Sequence, residues 1–165
     1  MKIFSLLPAL MMLLSLVPLE SRAEVGSSSL RRAFVEARAA SLDGKKVRKS
    51  ASTNFSGGWH GALVLARASC PGFSSSFGFR HIASLSGNRV VLRTTHDGTL
   101  TGMTRDKGRR LEAGRQYFVN GARFTSVVVY GALNSNSVRI GMSISISKGG
   151  RTCSAVYGGN GVRAF

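Results

Sequence analysis

The chain has 165 residues, with 23 Lys and Arg against 7 Asp and Glu, a formal net charge of +16. A surface of that sign attracts polyanions and repels other copies of itself, which constrains partners rather than fold. Seven carboxylates, three histidines and two cysteines also leave little material for paired-acid hydrolysis, histidine-based catalysis or a metal cluster.

Lys2 precedes an apolar run over residues 3–17, interrupted by Ser5, Pro8 and Ser15 and broken by Pro18. Ser21-Arg22-Ala23 then places small residues at −3 and −1 of a cut. Residues 1–23 therefore read as a cleaved secretory signal. The run is shorter than the roughly 20 residues a membrane-spanning helix needs. A secreted or periplasmic location is expected, with no transmembrane helix after signal cleavage. Cleavage removes Lys2, Arg22 and Glu20 and leaves 21 basic and 6 acidic residues.

Residues 24–53 read as a basic N-terminal arm with a short helix. Leu30, Ala33, Phe34, Ala37 and Ala40 recur at helical spacing. Ser29 is a candidate cap and Gly44 a candidate stop. Arg31, Arg32, Glu36 and Arg38 take the other positions, and Lys45, Lys46, Arg48 and Lys49 follow in a basic linker.

From residue 54 the helical period disappears. Val138, Ile140, Met142, Ile144 and Ile146 alternate with Arg139, Gly141, Ser143, Ser145 and Ser147, which predicts a strand with its small polar face toward water. Phe124, Ser126, Val128 and Tyr130 alternate with Thr125, Val127 and Val129. Phe77, Phe79, His81, Ala83 and Leu85 are also in phase. Shorter candidates lie at 88–94, 98–104, 115–119 and 151–157. Turn signals such as Asp97-Gly98 and Asn120-Gly121 separate them. Residues 54–165 are thus an all-β, antiparallel domain of about eight strands, a small barrel or a sandwich. Cys70 and Cys153, an even pair in an exported chain, are expected to form one disulfide.

Trp59, the only tryptophan, opens the first strand with Gly61, Leu63 and Leu65 in phase. It reads as a plug at one end of the core, with Gly57, Gly58 and Gly61 leaving room for the ring. Phe55-x-Gly57-x-Trp59 resembles the first-strand signature of calycin-type β-barrels: lipocalins, avidins and bacterial metalloprotease inhibitors. The resemblance implies a barrel in which the tryptophan packs beside a basic residue of the last strand, and Arg163 occupies that place. It also implies two functions, inhibition of an exported protease or carriage of a small apolar ligand. Phe77, Phe79, Phe124 and Tyr130 are the candidate lining for the latter.

His60, His81 and His96 show no i, i+2 or i, i+4 pairing, so no metal site is expected. His96-Asp97-Gly98 reads as a hairpin tip, and Asp97, Asp106 and Glu112 lie in turn-like stretches that suggest surface positions. Nucleophile elbows, phosphate loops and haem-attachment motifs are absent, so neither catalysis nor a cofactor is expected. The basic residues form two groups. Arg31, Arg32, Lys45, Lys46, Arg48 and Lys49 lie in the arm, and Arg105, Lys107, Arg109 and Arg110 in the domain; all suit phosphate or sulfate groups. The expected function is an exported, non-enzymatic binding protein. Its expected partners are anionic: envelope polysaccharide, lipopolysaccharide or acidic lipid. A specific nucleic-acid motif, with aromatics interleaved among the bases, is missing.

Overall fold

Period-two patterning becomes eight strands in the computed structural model, which describes residues 28–42 and 54–164. The elements are α1 (Ser28–Leu42), β1 (Gly57–Ala68), β2 (Ser76–Ser86), β3 (Arg89–Thr94) and β4 (Gly98–Arg105), followed by β5 (Arg110–Val119), β6 (Ala122–Ala132), β7 (Ser137–Lys148) and β8 (Arg151–Ala164). Each strand pairs antiparallel with the next, and β8 closes on β1, so the all-β domain is a closed barrel and not a sandwich. Asn120 and Gly121, at φ 49° and 72°, make the β5–β6 turn with both central residues left-handed, as a tight Asn-Gly hairpin requires. The signal segment 1–23, the linker residues Lys45, Lys46, Arg48 and Lys49, and the chain's ends lie outside the described residues.

Alternation sends Leu63, Leu92, Leu100, Leu111, Ile140 and Met142 into the interior, where they are buried. Trp59 closes one end. Its ring is fully buried between Phe55 and Tyr130, at centroid distances of 6.4 and 6.3 Å. Its indole N–H donates to the Phe55 carbonyl at 2.8 Å. Arg163 is its register partner on β8, and the guanidinium lies 4.5 Å from the ring centroid. Arg163 also donates to the Ser56 carbonyl at 2.6 Å and to the Asn54 carbonyl. The glycines around Trp59 serve its neighbours instead of the ring. A Cβ on Gly57 would meet Arg163, one on Gly58 would meet Ala164, and one on Gly61 would meet the Asn160 carbonyl at 2.2 Å and the Phe79 ring.

Two strands run beyond their predicted limits. β5 starts at Arg110, before the expected 115–119, and β8 continues to Ala164 through Gly158, Gly159 and Gly161. Glycine weakens a strand signal, yet here it is required, because a Cβ on Gly159 would stand 2.1 Å from the Ala62 carbonyl of β1. The outer face of β7 is not all in water: Gly141 and Ser143 are covered by α1.

The disulfide Cys70–Cys153 joins the segment after β1 to β8 at the barrel end away from Trp59, with Cα atoms 5.4 Å apart.

Beside Trp59, its register partner on β1, His81 of β2 is buried and its Nδ1 pairs with the Tyr130 hydroxyl. Burial, with a smaller contribution from His96, pulls its pKa from 6.5 to about 4. The folded ring is therefore neutral. As pH falls from 6.5 toward 4, the unfolded chain binds a proton that the folded chain excludes, so stability drops through that window and is unaffected above it. At 1.36 kcal/mol per pH unit the loss approaches about 3 kcal/mol. Urea denaturation from pH 7 to 4 should show this decline in the natural protein. His81→Gln retains a partner for Tyr130 without titrating, and its profile should be flatter by about that amount. Parallel profiles would refute the assignment.

Candidate functional site: an arginine-rimmed groove between helix and barrel

The outer face of β6 carries Val127 and Val129, which are apolar although they point away from the core. α1 covers them: Leu30, Ala33 and Ala37 are buried there, with Phe34 packed alongside. The approach is close, since a Cβ on Gly141 would lie 1.8 Å from the Ala37 carbonyl. The sequence pattern puts this helix in an arm ahead of the domain. In the structure it lies on the barrel wall over β6, β7 and β8.

Ion pairs hold both flanks of the helix. On one side Arg38 makes a two-point contact with Glu112 of β5, at 2.7 and 2.8 Å. Arg110 Nε reaches the same carboxylate at 2.8 Å and Arg105 Nε lies 3.9 Å away. Arg110 also pairs with Asp106 at 2.8 Å. On the other side Glu36 meets Arg32 at 3.3 Å and Arg67 of β1 at 3.4 Å, and accepts from the Ser143 hydroxyl. Glu112 is only 5% exposed, contrary to the surface position its turn-like setting suggests. Burial pushes its carboxyl upward, but the Arg38 hydrogen bonds and the charges of Arg110, Arg38 and Arg105 outweigh it and hold the group below its usual range. Glu112 is thus ionised, and its charge is already matched by arginine.

Between α1 and the outer face of β3, β4 and β5 runs a groove of about 800 Å³. Leu30, Phe34 and Val35 form its helix side, and Val91 and Met103 its barrel side. Val35, Val91 and Met103 are exposed. Arg31, Arg38, Arg89 and Arg105 stand around these apolar groups. Among the described residues Arg31 and Arg89 have no carboxylate within ion-pair distance.

The structure therefore separates the predicted anion-binding residues. Arg31 and Arg105 line the groove. Arg32 lies on the opposite flank with Glu36, and Arg110 is engaged by Glu112 and Asp106. Lys107 and Arg109 are exposed at the β4–β5 hairpin. Lys45, Lys46, Arg48 and Lys49 lie outside the described residues. Sequence reasoning misses Arg38, Arg89, Val91, Met103 and the role of Glu112. The available signal is that residues 89–93 alternate Arg, Val, Val, Leu, Arg, which leaves Val91 outward between two arginines. Comparisons with protein-family models, curated proteins and solved structures return no match to this chain.

Proposed function

We propose that the protein is an exported, non-enzymatic binding protein for anionic amphiphiles, such as the acidic lipids of a cell envelope. One observation carries the reading: an apolar groove bounded by cations whose one carboxylate is already neutralised. An acyl chain lies along Phe34, Val35, Val91 and Met103, and a phosphate or carboxylate headgroup meets Arg31, Arg89 and Arg105. Guanidinium groups suit such headgroups because they offer paired donors in a plane. A disulfide-bonded domain suits an oxidising compartment.

Titration calorimetry with alkyl phosphates below their micellar concentration tests it. Each buried methylene contributes about 0.8 kcal/mol, so dodecyl phosphate, with four more than octyl phosphate, should bind tighter by up to roughly two-hundredfold. Dodecyl maltoside, which lacks the charge, and inorganic phosphate, which lacks the chain, should both bind much more weakly. Arg31→Glu with Arg89→Glu should weaken dodecyl phosphate binding at least about tenfold, an effect of about 1.4 kcal/mol. Equal binding of all four probes, or no effect of the double substitution, would reject the groove as the site.

A further inference from the structure

The barrel wall is only partly zipped between β4 and β5. The β4–β5 ladder pairs only Thr101–Arg105 with Arg110–Gly114. Beyond it, toward the disulfide end, β4 runs back to Gly98 and β5 on to Val119 without continuing the ladder, so Gly98 and Leu100 on one side face Arg115 and Tyr117 on the other across a seam. The seam begins where the helix groove ends, but its side chains belong to the inward face. Arg115 and Tyr117 continue the inward series of Leu111 and Ala113.

Five polar or aromatic groups converge on this seam. Arg115 stacks on Tyr117 at 4.7 Å and packs over Gly98, where a Cβ would stand 2.9 Å from Nη1. Tyr117 in turn lies parallel to Phe124, with centroids 5.2 Å apart and planes within 10°. Asp97, next to Gly98, turns its carboxylate inward toward Ser126. Yet Asp97 Oδ2 and Ser126 Oγ are both shut off from solvent without completing a hydrogen bond of good geometry. Ser126 is only 2% exposed. Burial raises the Asp97 carboxyl above its ordinary range, against the opposing effects of Ser126, His96 and Arg115. Buried acceptors left without partners are rare and call for an explanation. Arg115 likewise pairs with no carboxylate within ion-pair distance among the described residues.

We infer that the β4–β5 seam is a second binding site, for a small amphoteric molecule with an aromatic body, of the aromatic amino-acid class. Its carboxylate meets the Arg115 guanidinium. Its ammonium donates to Asp97 Oδ2, with Ser126 Oγ as the neighbouring acceptor. Its ring joins the Tyr117–Phe124 stack. A guanidinium stacked on Tyr117 and a buried carboxylate close enough to feel its charge favour a ligand with both charges and disfavour one with either alone, because the unmatched group would stay desolvated and unpaired. This site is independent of the proposed groove, which faces the outside of the wall and selects an anion with a chain.

Protein-observed nuclear magnetic resonance of the natural chain decides it with three probes that share a phenyl ring: L-phenylalanine, 3-phenylpropanoate, which lacks the ammonium, and 2-phenylethylamine, which lacks the carboxylate. L-phenylalanine should bind at least about tenfold tighter than either. The largest amide shifts should fall at Gly98, Gln116 and Ser126. Arg115→Gln should erase its advantage over 2-phenylethylamine, and Asp97→Asn its advantage over 3-phenylpropanoate. The ranking in the natural chain is decisive even where a variant fails to fold. Equal affinity for the three probes, shifts centred elsewhere, or no saturation by L-phenylalanine up to about 10 mM would overturn the inference.

Discussion

Trp59→Ala is expected to destabilise the fold by about 3–5 kcal/mol, the range for emptying a large aromatic site in a core. The ring is fully buried and touches the Phe55 and Tyr130 rings. Truncation opens a cavity and also leaves the Phe55 carbonyl without the indole donor. Arg163 loses the face it stacks on, although its bonds to the Ser56 and Asn54 carbonyls survive. Because those bonds tie the segment before β1 to the end of β8, Arg163→Met should also loosen the closure of the barrel, by a smaller amount. Equilibrium denaturation in urea reads both effects. A loss below roughly 1 kcal/mol for Trp59→Ala would mean that the ring does not seal the core.

The second large effect is expected at the opposite end. The Cys70–Cys153 bond links positions 83 apart in sequence. On the chain-entropy model a loop of that length stabilises the fold by about 4–5 kcal/mol, acting mainly through the unfolded state. Reduction, or the paired change Cys70→Ser and Cys153→Ser, should lower the denaturation midpoint accordingly. The folded barrel should keep its architecture, since β1 and β8 are also joined by a long hydrogen-bonded register and by the bond from the Ser154 amide to the Ser69 hydroxyl at 2.8 Å. Thiol labelling of unfolded, unreduced protein should find no free sulfhydryl. Two reactive thiols per chain would contradict the bond.

The two candidate sites differ in how far local pattern announces them. Arg31 and Arg105 stand out as charges, and both reach the helix groove. Arg89 and Met103 look like ordinary outward residues of short strands and gain meaning only once α1 lies across the wall. Glu112 is more instructive. Its neighbours Arg105 and Arg110 are close in sequence, but its two-point partner Arg38 is 74 positions away, and no local rule connects them. The seam is legible only in part. Asp97-Gly98 marks a turn and Arg115 a charge, but the divergence of β4 from β5 follows from how eight strands close into a barrel.

An even cysteine count pointed to the Cys70–Cys153 bond, and the resemblance to the approach of Arg163 to Trp59, but the amino-acid sequence by itself determined the period-two strands and the Asn-Gly and Asp-Gly turns between them. These depend on which face of a segment is apolar and on the backbone angles that particular residues allow, both of which are local properties. Only the tertiary structure decided that the sheet closes, that glycine-rich residues 158–161 continue β8, that α1 covers Val127 and Val129, and that Arg38 meets Glu112. Those outcomes depend on which surfaces become neighbours after closure. Apolar area left on the outside of one strand is then buried by whichever amphipathic element can reach it, and a buried carboxylate takes whichever guanidinium arrives with it.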